Sequence, residues 1–186
     1  MVSRLAVVSM LVFTAACNSP GYVNEFQQPV FKVRDAVFVP IRLEGEILGG
    51  KLLIADEPSL CESLSHGFMP KRLEAVQFNV FRMNDRQLLA PEVGSYEITA
   101  DPMKPGSLAF GAHLLTDLNC TQTLEPTDAV FRDGTLEIER LETGPRGMVS
   151  GKFRTYVSRG DFFRAGPEGQ FLAQWCDTSF EAFTCR

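Results

Sequence analysis

The stretch GTLEIERL (134–141), followed by MVSGKFRTYV (148–157), decides the fold class of this chain. Apolar residues recur at even spacing in both segments and fall on one side of each: Leu136, Ile138, Val149, Phe153 and Val157. Glu137 and Glu139 fall on the opposite side, where we expect solvent. A period of two is typical of a strand with one buried face, so the two segments predict neighbouring antiparallel strands.

Strand patterns extend from this pair in both directions. Arg159-Gly160-Asp161 predicts a tight turn, because Gly and Asp suit such turns. Further strand-like segments cover 30–43, 51–55, 73–83, 93–99, 108–116, 162–164 and 169–175. About eight or nine strands joined by turn residues predict an all-β fold. We expect an antiparallel β-sandwich or a barrel-like domain with one short helix.

The one predicted helix lies near Glu57–His66. Asp56 precedes it as a candidate N-cap, with acidic and proline residues in the first turn. Leu60 and Leu64 are four residues apart and predict one buried helical face, and Gly67 is a typical C-terminal stop.

The N-terminus has the layout of an export signal. A basic start at Arg4 precedes the apolar run 5–13, and small residues lead up to Cys17. Cleavage after Ala16 would leave Cys17 first, as in a bacterial lipobox, although Thr14 stands where lipoproteins usually carry Leu. The alternative is an ordinary secretory signal. We therefore predict three parts: a lipoprotein signal peptide (1–16), a lipidated tether (17–28) and a single β domain (29–186).

Lipid on Cys17 predicts the membrane as a partner and the cell envelope as the location. Two or more lipid chains anchor a protein stably. Asn18 follows Cys17, and in well-studied envelopes Asp at that position favours inner-membrane retention. We therefore expect the outer membrane. The net charge of -5 argues against nucleic acid as a partner, because phosphate binding needs a basic face.

The other four cysteines predict two disulfides. An even number of cysteines in an exported chain typically forms bridges. Three connectivities are open, and we favour Cys61–Cys120 with Cys176–Cys185. Zinc is not expected, because no two cysteines have the close spacing of zinc ligands. No acidic spacing typical of a calcium loop occurs either, so we predict no metal and no cofactor.

Several short motifs follow one another along the chain in a defined order. They are Asp56–Cys61 (Asp-x-Pro-x-x-Cys), Pro91–Tyr96 (Pro-x-x-Gly-x-Tyr), Gly134-Thr135, Gly151–Phe153, Gly160-Asp161 and Phe171–Cys176. With the lipobox, this order resembles an uncharacterised group of surface lipoproteins of the myxobacterial type. The segment Arg164–Glu168 departs from that group as an insert before the last strand. The resemblance implies the fold and the envelope location, and it supplies no catalytic residues.

No catalytic residues are predicted. Ser65 and His66 are adjacent, and neighbours on a helix do not face each other. We interpret His66 as capping the helix end and His113 as a core or edge residue of an apolar strand. Trp175 predicts a ring packed in the core against the disulfide of Cys176.

The leading hypothesis is therefore an envelope lipoprotein with a non-enzymatic binding or structural surface domain. The alternatives are a hydrolase acting on envelope polymers, and a carrier of lipid or another small ligand. A pocket that gathers His113 or His66 with two carboxylates would favour the hydrolase. An empty apolar barrel would favour the carrier.

Overall fold

Hydrogen bonding closes eight strands into a β-barrel in the computed structural model of this chain. The structure describes residues 19–85, 87–101, 104–159, 162–178 and 184–185. The predicted all-β class with one short helix is confirmed, and the architecture is a barrel rather than a sandwich. The predicted turn residues Gly160 and Asp161 lie outside the described residues, although the strands on either side of them pair.

The strands follow one another along the chain as β1 (Gly21–Glu25), β2 (Gln28–Phe31), β3 (Asp35–Leu43), β4 (Glu46–Ala55), β5 (Phe68–Met69), β6 (Glu74–Asn84), β7 (Gln87–Leu89), β8 (Gly94–Ile98), β9 (Gly106–Leu115), β10 (Phe131–Leu141), β11 (Met148–Arg159), β12 (Phe162–Trp175) and β13 (Thr184–Cys185). Helix α1 is Leu60–Ser65, and the short helical segment α2 is Pro126–Ala129. The barrel runs β12-β3-β4-β6-β9-β8-β10-β11 and returns to β12. Within the barrel, pairing is antiparallel except between β12 and β3 and between β8 and β9.

Strand β12 closes the barrel because it pairs with both β11 and β3, and it also pairs with the outer strand β1. It pairs with β11 along most of its length, with β1 near Phe171, and with β3 at its end, where Trp175 lies opposite Phe38. Beyond that end, none of the described residues pairs with β3 on this side. Pro40, which lacks the N–H that a ladder needs, lies in that part of β3.

Aromatic rings fill the barrel interior. The buried set comprises Phe31, Phe38, Phe78, Tyr96, Phe131, Phe153, Phe171 and Trp175. Glycines make room for the rings: a Cβ on Gly50 would lie 2.0 Å from Cζ of Phe38, and one on Gly111 would lie 2.5 Å from the ring of Phe131. The interior is therefore packed by matching large side chains with glycines, which leaves its central rings almost without solvent contact.

A second apolar cluster covers the outside of β3, β4 and β6. Its buried members are Val37, Val39, Leu53, Ala55, Leu60, Leu64, Leu73, Ala75 and Cys176. Helix α1 contributes Leu60 and Leu64 at the predicted spacing, so β3 and β4 are buried on both faces, whereas β6 adds only Ala75 to this outer layer. Burial on both faces explains why β3 and β4 contain continuous apolar runs.

The start of helix α1 differs from the prediction. Ser59, not Asp56, occupies the N-cap, and its side chain makes no capping hydrogen bond. The Leu60 N–H instead donates to Oδ2 of Asp35 at 2.8 Å, while Asp56 accepts the N–H of Glu74. A side chain distant in sequence therefore satisfies the helix end, which local spacing does not reveal. At the other end, His66 is the C-cap and Gly67 has φ 74°, as predicted.

Two disulfides join the outer layer to the barrel, with Cys61 bonded to Cys176 and Cys120 bonded to Cys185. Four paired cysteines were predicted, but the favoured connectivity is wrong. Strand β13 pairs with β5 and carries Cys185 to the loop that holds Cys120, away from Cys176. Nearness in sequence was therefore a poor guide to which sulfurs meet in space.

Trp175 is the last residue of β12, and Cys176 directly after it points to the opposite face. Trp175 is 3% exposed and stacks on Phe38 inside the barrel, with ring centroids 5.5 Å apart. Cys176 belongs to the outer cluster. The predicted core position of Trp175 is confirmed, whereas its predicted packing against the disulfide is wrong, because consecutive strand residues point in opposite directions.

Part of the predicted tether is strand. Gly21–Glu25 pairs with β12, and β2 begins at Gln28, so the fold begins earlier than the predicted boundary at residue 29. The insert Arg164–Glu168 is also strand, accommodated by a bulge opposite Arg154 and Tyr156. The segment between Cys17 and the fold is therefore only a few residues long.

Tyr96 fastens the turn that precedes β8. Its hydroxyl donates to the carbonyl of Glu92 and accepts the Glu92 N–H, both at 2.8 Å, while its ring is buried in the barrel. Burial raises the pKa of Tyr96. These contacts give the Pro-x-x-Gly-x-Tyr motif at Pro91–Tyr96 a structural role, because the tyrosine holds its own preceding turn.

We expect Tyr96→Phe to lower the free energy of unfolding by roughly 1–3 kcal/mol, because both backbone groups of Glu92 lose their partner. The raised pKa of Tyr96 adds a pH dependence: the stability from its neutral phenol is present below about pH 10 and is lost as pH rises through the folded pKa. Urea unfolding at neutral and alkaline pH measures both effects. An unchanged midpoint at neutral pH would contradict the role assigned to the hydroxyl.

We expect loss of the disulfide Cys61–Cys176, through paired Ala substitutions, to cost more stability than loss of Cys120–Cys185. The sequence separations are 115 and 65, which predict about 5 and about 4 kcal/mol from loop entropy. The first pair also includes Cys176, which is packed in the outer cluster. Urea unfolding of both double variants tests the order, and peptide mapping without reductant tests the connectivity.

Candidate functional site

A polar cleft of about 430 Å³ opens at one end of the barrel. It lies where β3 begins, β4 ends and β6 begins, and its lining residues are Phe31, Lys32, Arg34, Asp56, Glu57 and Glu74. Barrel mouths are places where ligand sites commonly occur. The cleft joins an aromatic ring, two cations and three carboxylates in one opening.

Phe31 forms the floor of this cleft by closing the barrel mouth. It pairs with Val23 of β1, and its ring centroid is 6.5 Å from that of His113 on β9. Strand β1 lies beside β12, whereas β9 is four strands from β12 in either direction around the barrel. The chain between β2 and β3 therefore brings Phe31 across the mouth, where its side chain is 8% exposed.

Glu74 and His113 form a pair on the inner side of the mouth. His113 lies directly opposite Val76, an interior residue, and its Nε2 is 3.3 Å from Oε1 of Glu74. The two side chains are 16% and 26% exposed, so both are only partly accessible to water. His113 thus belongs to the edge of the core, as predicted, but with a carboxylate partner that the sequence did not reveal.

Of the other charged groups of the cleft, one is held by a hydrogen bond to the backbone and the rest are open to a ligand. Asp56 is held, because its Oδ1 accepts the Glu74 N–H at 2.9 Å. Lys32 and Arg34 are exposed, and none of the ion pairs within the described part of the chain involves either of them or Glu57. The cleft therefore offers both cations and a carboxylate to a polar ligand.

A second surface feature is a groove on the outside of β1, β12, β11 and β10. Cross-strand neighbours form a row of polar side chains along it: Tyr22, Gln170, Lys152 and Glu137. Lys152 Nζ lies 3.0 Å from Glu137 and 3.3 Å from Glu139, and hydrogen bonds to these carboxylates raise the pKa of Lys152. The groove pairs its charges internally, in contrast to the open charges of the cleft.

The predicted site residues have different outcomes. Cys17 lies outside the described residues, and the other four cysteines are in disulfides. His66 lies at the helix end, with Nδ1 2.8 Å from the carbonyl of Glu62, and takes no part in the cleft. Of the side chains considered for catalysis, which are Ser65, His66 and His113, only His113 contacts a residue of the cleft, Glu74.

Within the residues that the structure describes, no group of three or more His, Cys, Asp or Glu side chains is arranged to hold a metal ion. None of the helices in the same part of the chain has the length and apolar character needed to cross a bilayer.

Comparisons of this chain with known proteins found no match. No protein-family model matches the chain, no curated protein matches its sequence, and no solved structure matches its fold.

Proposed function

We propose that the protein is an exported envelope lipoprotein, anchored in the outer membrane through lipid on Cys17. The observation that carries this proposal is the cysteine pairing. Cys61 bonds Cys176 and Cys120 bonds Cys185, so Cys17 belongs to neither of these disulfides. Disulfides of this kind persist in oxidising compartments, which supports export. The signal-like N-terminus and the resemblance to the myxobacterial-type lipoprotein group agree with it.

The anchor would hold the barrel close to the bilayer. Strand β1 begins at Gly21, four positions after Cys17, and an extended chain of that length spans about 14 Å. The lipid therefore concentrates the domain at the membrane and limits how far its surfaces can move from it.

The barrel then acts as a non-enzymatic binding domain through its surface. Its interior is packed with aromatic rings, which weighs against a carrier that encloses lipid or another small ligand. The mouth cleft presents Lys32, Arg34 and Glu57 with no ion-pair partner in the described part of the chain. Open charges of both signs beside the ring of Phe31 suit a ligand that carries an amine and a carboxylate, such as the peptide part of an envelope polymer.

One observation favours a second candidate function, hydrolysis of an envelope polymer. The cleft gathers Glu74 and Asp56, and the Glu74 carboxylate contacts His113. A histidine held by a carboxylate can act as a general base. In the described residues, however, Asp56 holds the backbone of β6, and the hydrogen bonds of the His113 ring include no Ser, Thr or Cys nucleophile.

The anchor is tested by expressing the full chain in bacteria fed radiolabelled palmitate. We expect label on the parent protein in the membrane fraction and none on Cys17→Ser, because the lipidated thiol is gone. Cys120→Ser with Cys185→Ser provides a matched control that removes two other cysteines and should keep the label. Label on Cys17→Ser, or none on the parent, would contradict the anchor.

The cleft is tested with soluble muropeptides as the probe. We expect Arg34→Ala and Glu57→Ala each to weaken binding about tenfold, which is about 1.4 kcal/mol, through loss of one charge contact. Arg146→Ala removes an exposed cation from the loop between β10 and β11 and should bind like the parent. Isothermal calorimetry measures the affinities.

The same samples separate the two candidate functions. Chromatography of the incubated muropeptides shows whether the protein cleaves them. Intact muropeptides bound by the parent protein support the binding domain. Cleavage that disappears in His113→Ala would support the hydrolase and contradict the non-enzymatic proposal.

A further inference from the structure

The exposed aromatic side chains of the described residues lie together on one side of the barrel. Among the large apolar side chains of that part of the chain, the exposed aromatic ones are Tyr22, Phe26 and Phe163, which are 45%, 66% and 65% exposed. Tyr22 lies on β1, Phe26 directly follows β1, and Phe163 lies near the start of β12, the strand that pairs with β1. The exposed aliphatic residues Leu43, Leu88, Val93 and Leu118 lie outside this strand pair.

The pairing register places the three aromatic residues along one strand pair. Tyr22 lies opposite Gln170 and Asn24 lies opposite Glu168, so β1 runs toward Phe26 in the direction that leads back along β12 to Phe163. We call the outer surface of β1, the β1–β2 turn and β12 the aromatic face. The seven residue-to-residue steps from Phe163 to Gln170 correspond to roughly 23 Å of strand.

Phe26 has no packing reason for its position. It has φ 51° and Gln27 has φ 64°, the left-handed conformation in which tight hairpin turns favour Asn and Gly. A bulky residue there is strained, and its ring is 66% exposed, so burial does not compensate the strain. The exposed ring of Phe26 at this turn is better explained by a contact with another molecule.

The aromatic face includes β1, the first strand after Cys17 along the chain. Tyr22 is five positions after Cys17, which limits their separation to about 17 Å even in an extended chain. Aromatic side chains are enriched at the interface between membrane and water, where a ring contacts both apolar and polar groups. The neighbouring groove contains charges of both signs, such as Lys152 with Glu137, which suit a layer of zwitterionic headgroups.

We propose that the aromatic face lies on the membrane, with Tyr22, Phe26 and Phe163 inserted at the headgroup level. This proposal rests on the lipid anchor at Cys17, since the short connection is what brings this face to the bilayer. Strand β9 is opposite β12 in the barrel, so that wall of the barrel faces away from the membrane.

Tryptophan fluorescence in vesicles tests the orientation. Full-length protein purified with its lipid would be reconstituted into vesicles of phosphatidylethanolamine and phosphatidylglycerol that carry brominated acyl chains. Phe163→Trp and Phe26→Trp place the probe on the aromatic face, and Leu118→Trp is the control, 53% exposed in the loop after β9. Trp175 is buried in the barrel and contributes a constant background.

We expect brominated lipid to quench Phe163→Trp and Phe26→Trp and to leave Leu118→Trp unchanged. Circular dichroism checks that each variant keeps the parent fold, and the two face variants serve as independent probes. Lipid found on Cys17 by mass spectrometry, together with equal quenching at all three positions, would overturn the membrane face and leave the anchor intact. Protection of the face from iodide without lipid quenching would assign it to a protein partner and overturn the proposal. Absence of lipid on Cys17 would overturn the anchor and the membrane face together.

Discussion

The packing of aromatic rings against glycines inside the barrel is the constraint on which the rest of the structure depends. Phe38 occupies the space over Gly50, and Phe78 and Phe131 occupy the space over Gly111. A barrel of eight strands has room for side chains and little else, so each ring requires a small residue opposite it. Because the interior is filled in this way, the fold leaves recognition to its ends and outer surfaces.

The outer cluster and the disulfides stabilise one wall of the barrel from outside. Helix α1 buries Leu60 and Leu64 against β3, β4 and β6, and the bond from Cys61 to Cys176 joins it to the end of β12. The second disulfide, between Cys120 and Cys185, holds the loop after β9 beside β13. Covalent links at these places suit a small domain that works outside the reducing cytosol.

The surface has two sides of different chemistry. The mouth holds open charges and the pair of Glu74 with His113, which suit a polar ligand. The aromatic face on the outside of β1 and β12 carries Tyr22 and Phe26 and suits the interface of a bilayer.

Local sequence pattern determined most of the strands, helix α1 and the number of disulfides. Alternation at Leu136 and Ile138 predicted a strand face that is buried, and the four-residue spacing of Leu60 and Leu64 predicted the buried side of the helix. These features depend on neighbours along the chain, which the sequence displays directly. The tertiary structure alone decided that Asp35 caps the helix, because this contact joins residues 25 positions apart.

Closure of the barrel likewise follows from contacts between distant strands, which no local period encodes. The same is true of the partners of Cys61 and Cys120, and of the meeting of Glu74 with His113, which lie 39 positions apart. The sequence by itself thus determined the all-β class, most of the strand segments and many of the residues that face the core. Only the folded barrel decided which side chains share a site, because closing a sheet brings together strands that are remote along the chain.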